Sequence, residues 1–450
     1  MIEMFVPEMD QKLMDIYISN CISRYKQAIY DSNQISLKKG EKMLKGMKDP
    51  IDKYQITENQ EGNLTSKMIS IQHDDYFSKS EFSTLQYFAS SHLKRAEPYL
   101  SKKLVSSQNF SDIQLISQIF PSFLTSFLGF ECHLGDTKPR ADWAFAISGV
   151  GPDRQVFTKL LSEGNFPDVL LQTPEWKRIS NFAKAWADKN SDLTDKIQCF
   201  WLEFDMPNEK NDVPIPSIFF GPTKKYSNIQ EKNISQFKWL TDTAIPILKG
   251  QDVPFQVKEK INDCLLKMPE NTSLFQIGTM LSRENQSVRL HINKINPEQI
   301  IPYLQQIGYK ENLEELVKLI DEIKDKADRF VFSYDVTENG IGPRIGIELS
   351  YSSNLFQEEK RWEDLLDYLV EKGICLAEKR DALINYTGIE ENQNFSGAVL
   401  KPVSTSADYL DKINKSTIVR YINHVKIVYN PNKKLEAKAY PAVRLFENKQ

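Results

Sequence analysis

The stretch NHVKIVYNPNKKLEAKAY, residues 423–440, lies near the end of the chain, and its alternation decides the fold. Val425, Ile427 and Tyr429 fall on one side of an extended run, His424 and Lys426 on the other. After the turn at Asn430-Pro431-Asn432, Lys438 and Tyr440 return to the polar side. Side chains on a strand point alternately to its two faces, so the segment reads as a hairpin with an apolar face and a face of cations, imidazole and phenol.

Four more strand pairs precede it. FLGFECHLGDTKPRADWAFAIS (127–148) reads as strand, polar turn, strand. IQCFWLEFD (197–205) pairs with IPSIFFG (215–221), and SLFQIGTML (273–281) with QSVRLHINK (286–294). RFVFSYDV (329–336) meets PRIGIELSY (343–351) across TENGIG, whose Asn-Gly is a hairpin signal. Helical patterns separate the pairs: DRQVFTKLLSEG and PEWKRISNFAKAWADK after the first, a helix starting at Pro297 after an Asn296 cap, and a stripe of Trp362, Leu365, Leu366, Leu369 and Val370 stopped by Gly373. The expected fold class is therefore α+β: an antiparallel ten-stranded barrel of repeated strand-strand-helix-helix units with the helices outside. Residues 1–120 are expected to form an N-terminal helical region, and residues 121–450 the barrel domain.

Composition narrows the function. A net charge of −4 over 450 residues argues against a general nucleic-acid binder. No run of about 18 apolar residues suggests membrane insertion, and the start MIEMFVPEMDQK lacks a targeting pattern, so a cytoplasmic, soluble protein is expected. The five cysteines show no Cys-x-x-Cys spacing of the zinc or redox type.

One strand face is apolar: Phe130, Cys132 and Leu134; Val288, Leu290 and Ile292; Ile345, Ile347 and Leu349. It should meet the helices. The other face carries Glu131 and His133; Trp201, Glu203 and Asp205; Arg289, His291 and Asn293; Ser333 and Asp335; Arg344 and Glu348; His424, Lys426, Lys438 and Tyr440. On an open sheet this would be the solvated side. Ten strands rarely stay open, however, and inside a closed barrel charges of both signs must pair or meet a ligand.

This order of elements, with Arg, Lys and Tyr alternating on the strands from about residue 120 to 446, resembles the ABBA family, the prenyltransferase barrels. The resemblance implies transfer of an isoprenoid from its diphosphate to an aromatic or peptide acceptor inside the barrel, in natural-product biosynthesis. No cofactor is required by it; Mg2+ is compatible, but no motif implies it. Arg289, Lys426 and Lys438 would clamp the diphosphate, with Arg344 and His424 beside them, and Tyr440 and Trp201 would shield the allyl cation. Glu131, with His133, would act on the acceptor, while His291 and Glu348 would line the same cavity. Glu203, Asp205, Asp335 and Glu348 depart from a cationic diphosphate site and suit a peptide-tailoring enzyme with other chemistry in the same barrel. A non-catalytic peptide- or lipid-binding protein is the third class. Two further signals stand apart: DEIKD (321–325) resembles an Asp-rich magnesium motif but lies on a polar helix face, and His133, His291 and His424 with Glu131 or Asp335 could gather as metal ligands.

Overall fold

The computed structural model describes residues 89–448, apart from 122–123, 125–126, 150–152, 163–165, 207–213, 229–233, 284–286, 353–357, 391–399, 403–415 and 432. Eight strands follow in chain order: β1 (Phe127–His133), β2 (Ala141–Ser148), β3 (Ile197–Phe204), β4 (Ser217–Pro222), β5 (Ser273–Thr279), β6 (Val288–Asn293), β7 (Arg329–Thr337) and β8 (Gly340–Ser350). Two three-residue strands, β9 (Gly388–Glu390) and β10 (Leu400–Pro402), come next, then the long hairpin β11 (Ser416–Tyr429) and β12 (Glu436–Asn448).

Every pairing is antiparallel. β1 to β8 pair in sequence, β8 pairs with β11, β11 with β12, and β12 with β1. The final hairpin thus closes a ring of ten strands, while β9 and β10 extend β11 and β12. Closure removes the edges that a ten-stranded open sheet would expose. This is the barrel architecture that the sequence resemblance implies.

Helices cover the outside because the outward strand face is apolar. Phe130, Cys132, Leu134, Val288, Leu290, Ile292, Ile345, Ile347 and Leu349 are all fully buried. The helix Pro174–Ala187 shows how the sequence builds this layer: Thr173 caps it through its side chain, Pro174 occupies the first turn, and Trp176, Ile179, Phe182, Ala183 and Trp186 bury one stripe. Phe182 stacks on Phe200 of β3 at 5.1 Å between ring centroids, and the Trp186 indole N–H donates to the Ile197 carbonyl at 3.0 Å. Burying such a ring contributes about 1.5–3 kcal/mol of transfer free energy.

Other local signals act as expected. Asn296 and Gln299 form a reciprocal capping box on the helix Pro297–Gln306. The helix Arg361–Glu371 buries Trp362, Leu365, Leu366 and Leu369, and Gly373 follows it at φ 67°, where a side chain would be strained. The β7–β8 hairpin pairs Thr337 with Gly340, leaving Glu338-Asn339 as a two-residue loop.

Of the expected N-terminal helical region, the described part contains the helices Ser90–Ala96 and Ser107–Ser117. Asn109 fixes the second to the barrel: its side chain accepts from the Ala141 N–H at 2.7 Å and donates to the Ala141 carbonyl at 3.2 Å. In DEIKD, Asp321 meets Lys324 at 3.4 Å with both side chains well exposed, as expected of a solvated face. Among the described residues, no helix is long and apolar enough to cross a membrane.

Candidate active site

The ring surrounds a cavity of about 130 Å³ that opens to solvent. Glu131, Trp201, Arg289, His291, Arg344, Glu348, His424, Lys426, Lys438 and Tyr440 all line it. Strand parity brought them together, since an intact register sends every second side chain inward. His133 lies on the same strand face as Glu131, opposite Lys438 in the β1–β12 pairing, but nearer the strand end. It is absent from the lining, and its Nε2 lies 3.9 Å from Asp142 Oδ2 instead.

The structure adds Phe127, Phe219, Phe275, Arg283, Arg329 and Asn423 to the wall. Phe127 shares its parity with Glu131, and Phe219 pairs with Trp201, so an alternation signal existed for both. Phe275 and Asn423 lie where the pairing register shifts, between Leu274 and Gln276 and between Ile422 and Val425. Parity fails at such bulges. Arg283 comes from the β5–β6 turn, where alternation carries no information.

The cavity charges are largely paired with one another. Lys438 donates to Glu131 Oε1, and the Tyr440 hydroxyl donates to Glu131 Oε2. Burial alone would raise the Glu131 pKa, but the charges of Lys438 and Lys426 and both hydrogen bonds outweigh it and hold the carboxyl well below the usual range. Burial, then the charge of Glu131, pushes the Tyr440 phenol far up, so it remains a donor. The His424 ring stacks on Tyr440 with centroids 3.9 Å apart.

On the adjoining strands Lys426, the cross-strand partner of Lys438, donates to Glu348 Oε1 at 3.0 Å, with His291 Nδ1 3.5 Å and His424 Nε2 3.9 Å from the same carboxylate. Burial lowers both imidazoles to a pKa of about 4, so they are neutral near pH 7. Arg289 grips Asp335 with two hydrogen bonds, at 2.8 and 3.1 Å. Asp205 accepts from Arg283 Nε at 2.9 Å and from the Ser282 hydroxyl at 2.7 Å. Two glycines make the room: a Cβ on Gly346 would come 2.7 Å from Lys426 Cε, and one on Gly278 would come 2.6 Å from the Phe219 ring.

Three charged side chains stand outside these pairs: Arg329, whose Nε donates to the Asn293 side-chain oxygen at 2.8 Å, Arg344 and Glu203. Among the described residues, Arg344 and Glu203 have neither an ion pair nor a side-chain hydrogen bond. Burial, then the charge of Arg289, weakens the Arg344 guanidinium's hold on its proton, though a guanidinium remains charged at any ordinary pH. Burial, then the neighbouring Glu131, Asp142 and Asp205, raises Glu203 to about 8. The interior is therefore mixed, as the acids of β3, β7 and β8 suggested.

The expected metal grouping separates. His291 and His424 gather with Lys426 around Glu348, while Glu131, His133 and Asp142 form a set whose potential ligand atoms lie within 4.8 Å of one another. Those three could hold a divalent ion in principle. The Lys438 ammonium already occupies Glu131, and a metal would have to displace it.

No protein-family model and no curated protein matches the chain. Among solved structures it is similar to the 5-dimethylallyltryptophan synthase from Streptomyces coelicolor, at 9% identity and TM-score 0.44, covering 82% of this chain and 98% of that one. It is similar to the apo form of prenyltransferase PriB at 9% identity and TM-score 0.43, covering 80% of this chain and 98% of that one. For NotF, in complex with brevianamide F and DMSPP, the figures are 12%, 0.45, 84% and 98%. None of these likenesses transfers a residue role to this chain, whose site stands on its own geometry.

Proposed function

We propose that the barrel is a transferase that takes an isoprenoid diphosphate and moves the isoprenyl group to an aromatic acceptor. The observation that carries the reading is Arg344, a guanidinium without a carboxylate partner that lines the enclosed space with Arg289, Lys426 and Lys438. A diphosphate leaving with the C–O bonding pair needs such cations at the oxygen where charge develops. The allylic carbocation left behind would meet the rings of Phe127, Trp201, Phe219, Phe275 and Tyr440 rather than bulk water. The acceptor ring then supplies the electron pair of the new C–C bond and loses a proton, for which Glu131, held ionised, is the acceptor in reach of the cavity.

A second reading, a peptide-tailoring enzyme of different chemistry, is favoured by one observation. Three of the four clamp cations already hold carboxylates, so an incoming diphosphate must compete with Asp335, Glu348 and Glu131. The test is titration of the purified protein with pyrophosphate and dimethylallyl diphosphate, followed by mass spectrometry of mixtures with indole acceptors and short Trp- or Tyr-containing peptides. Micromolar pyrophosphate binding and a prenylated indole are expected. No pyrophosphate binding at millimolar concentration would sink the transferase reading and leave the peptide-tailoring one.

A further inference from the structure

Glu348 stands among four groups able to carry positive charge, on three other strands. Lys426 from β11 holds its Oε1 at 3.0 Å, and His291 Nδ1 from β6 lies 3.5 Å from the same oxygen. His424 Nε2, also on β11, lies 3.9 Å from Oε2. Arg329 on β7 bears on the carboxylate from further off, but its Nε is committed to Asn293 at 2.8 Å and its guanidinium lies over the Phe275 ring, 4.9 Å from the centroid. Both imidazoles are neutral near pH 7, so Lys426 is the ion that neutralises Glu348.

Lys426 is also the member of this set best able to leave. Its ammonium rides on a flexible four-carbon stem, and that stem passes over Gly346, where a Cβ would come 2.7 Å from Cε. The charges of Arg344 and Arg289 both bear on it, so an anion gathered by those guanidiniums competes with Glu348 for the ammonium. A buried carboxylate stripped of its counter-ion is strongly destabilised and needs a successor.

His291 is placed to be that successor. Both of its ring nitrogens are buried without a hydrogen-bond partner, a rare condition in a folded protein. The ring meets Phe219 from β4 edge-on, and the charges that face it are Arg289 on its own strand, Asp335 on β7, Glu348 on β8 and Lys426 on β11. Burial holds the imidazole near a pKa of about 4, and among these charges Lys426 weighs most against a proton there. Moving that ammonium away removes the obstacle and bares the oxygen that Nδ1 faces.

We propose that His291 is the spare counter-ion of Glu348: when an anion in the cavity draws Lys426 away, the imidazole takes a proton from solvent and replaces the ammonium at Oε1. The inference rests on the transferase reading only in making that anion a diphosphate. His291 is thus a positioning residue, which frees Lys426 for the anion without leaving a bare carboxylate behind it, and anion binding becomes linked to the uptake of a proton.

The experiment labels the histidines with 13C at Cε1, assigns His291 by His291→Gln, and follows its protonation by NMR as pH is lowered through 6. Saturating inorganic pyrophosphate should raise the proton affinity of His291 in the wild type by at least about 100-fold, enough to charge about half of it at pH 6. Lys426→Met, checked for an unchanged fold, should show a rise of the same size with no ligand added. In Glu348→Gln, pyrophosphate should leave His291 neutral. A neutral His291 in folded Lys426→Met or in the pyrophosphate-bound wild type, the proton settling on His424 instead, or an equal rise in Glu348→Gln would each overturn the proposal. If Lys426→Met does not fold, the wild-type and Glu348→Gln titrations decide. Failure of pyrophosphate to bind at millimolar concentration defeats the transferase reading, and Lys426→Met then decides the role of His291 alone.

Discussion

Lys438 and Glu131 fasten the last strand of the barrel to the first: the ammonium on β12 donates to one carboxylate oxygen on β1, and Tyr440 donates to the other. The pair is buried on both sides, at 11% and 9% side-chain exposure. Removing one member strands the other in a medium that solvates it poorly. Lys438→Met and Glu131→Gln should each therefore destabilise the fold, the first by about 3 kcal/mol, and the double variant Glu131→Gln/Lys438→Met should recover most of that loss. Urea melts of the two single variants and the double one check this; strictly additive losses would mean that the pair contributes nothing as a pair.

Arg344 differs because it holds no carboxylate. Arg344→Gln should leave the melting temperature nearly unchanged while weakening pyrophosphate binding by about 10- to 100-fold, the worth of one or two charged hydrogen bonds. Lys426→Gln should lower both, since it also strips Glu348 of its ammonium. Equal behaviour of the two variants in calorimetry and melting would refute the distinction.

Stability should be bounded by proton binding on two sides. The Glu203 pKa rises from 4.5 to about 8 on folding, so its contribution is complete below 4.5 and is lost as pH climbs through 8. His291 and His424 fall from 6.5 to about 4, so theirs is complete above 6.5 and is lost as pH drops through 4. Chemical melts from pH 4 to 9 should show the alkaline decline in the parent and a flatter curve in Glu203→Gln, by about 1–3 kcal/mol at the upper end. A parallel decline in that variant would assign the loss to other groups.

Gly346→Ala tests whether the cavity needs its glycine. The added methyl would press on Lys426 Cε and on the Ser333 hydroxyl, pushing the ammonium away from Glu348. A loss of about 1–3 kcal/mol is expected, with weaker pyrophosphate binding. Gly340→Ala, at φ 105° with open space around it, should cost stability by backbone strain alone and leave binding intact.

Much of the barrel was legible in local pattern. The hairpin at 423–440, the Asn-Gly turn before β8, the Asn296 cap and the Trp362 stripe each depend on residues a few positions apart. The inward list was incomplete where bulges at Leu274–Gln276 and Ile422–Val425 shift the alternation, and His133, on the inward face, ends beside Asp142 outside the cavity lining. A bulge is one extra residue absorbed by curvature, and hydrophobicity along one strand records it poorly.

The alternation of apolar and polar residues determined by itself which face each strand turns inward and that the chain repeats strand pairs between helices, because side-chain direction along a strand is a local property. Which charge meets which was decided only in three dimensions. Glu131 and Lys438 are 307 positions apart, and their meeting depends on the register accumulated round the closed ring. The same closure left Glu203 and Arg344 without partners on opposite walls, since a row of paired strands sets neighbours, while the curvature of the whole ring sets what faces what across the cavity.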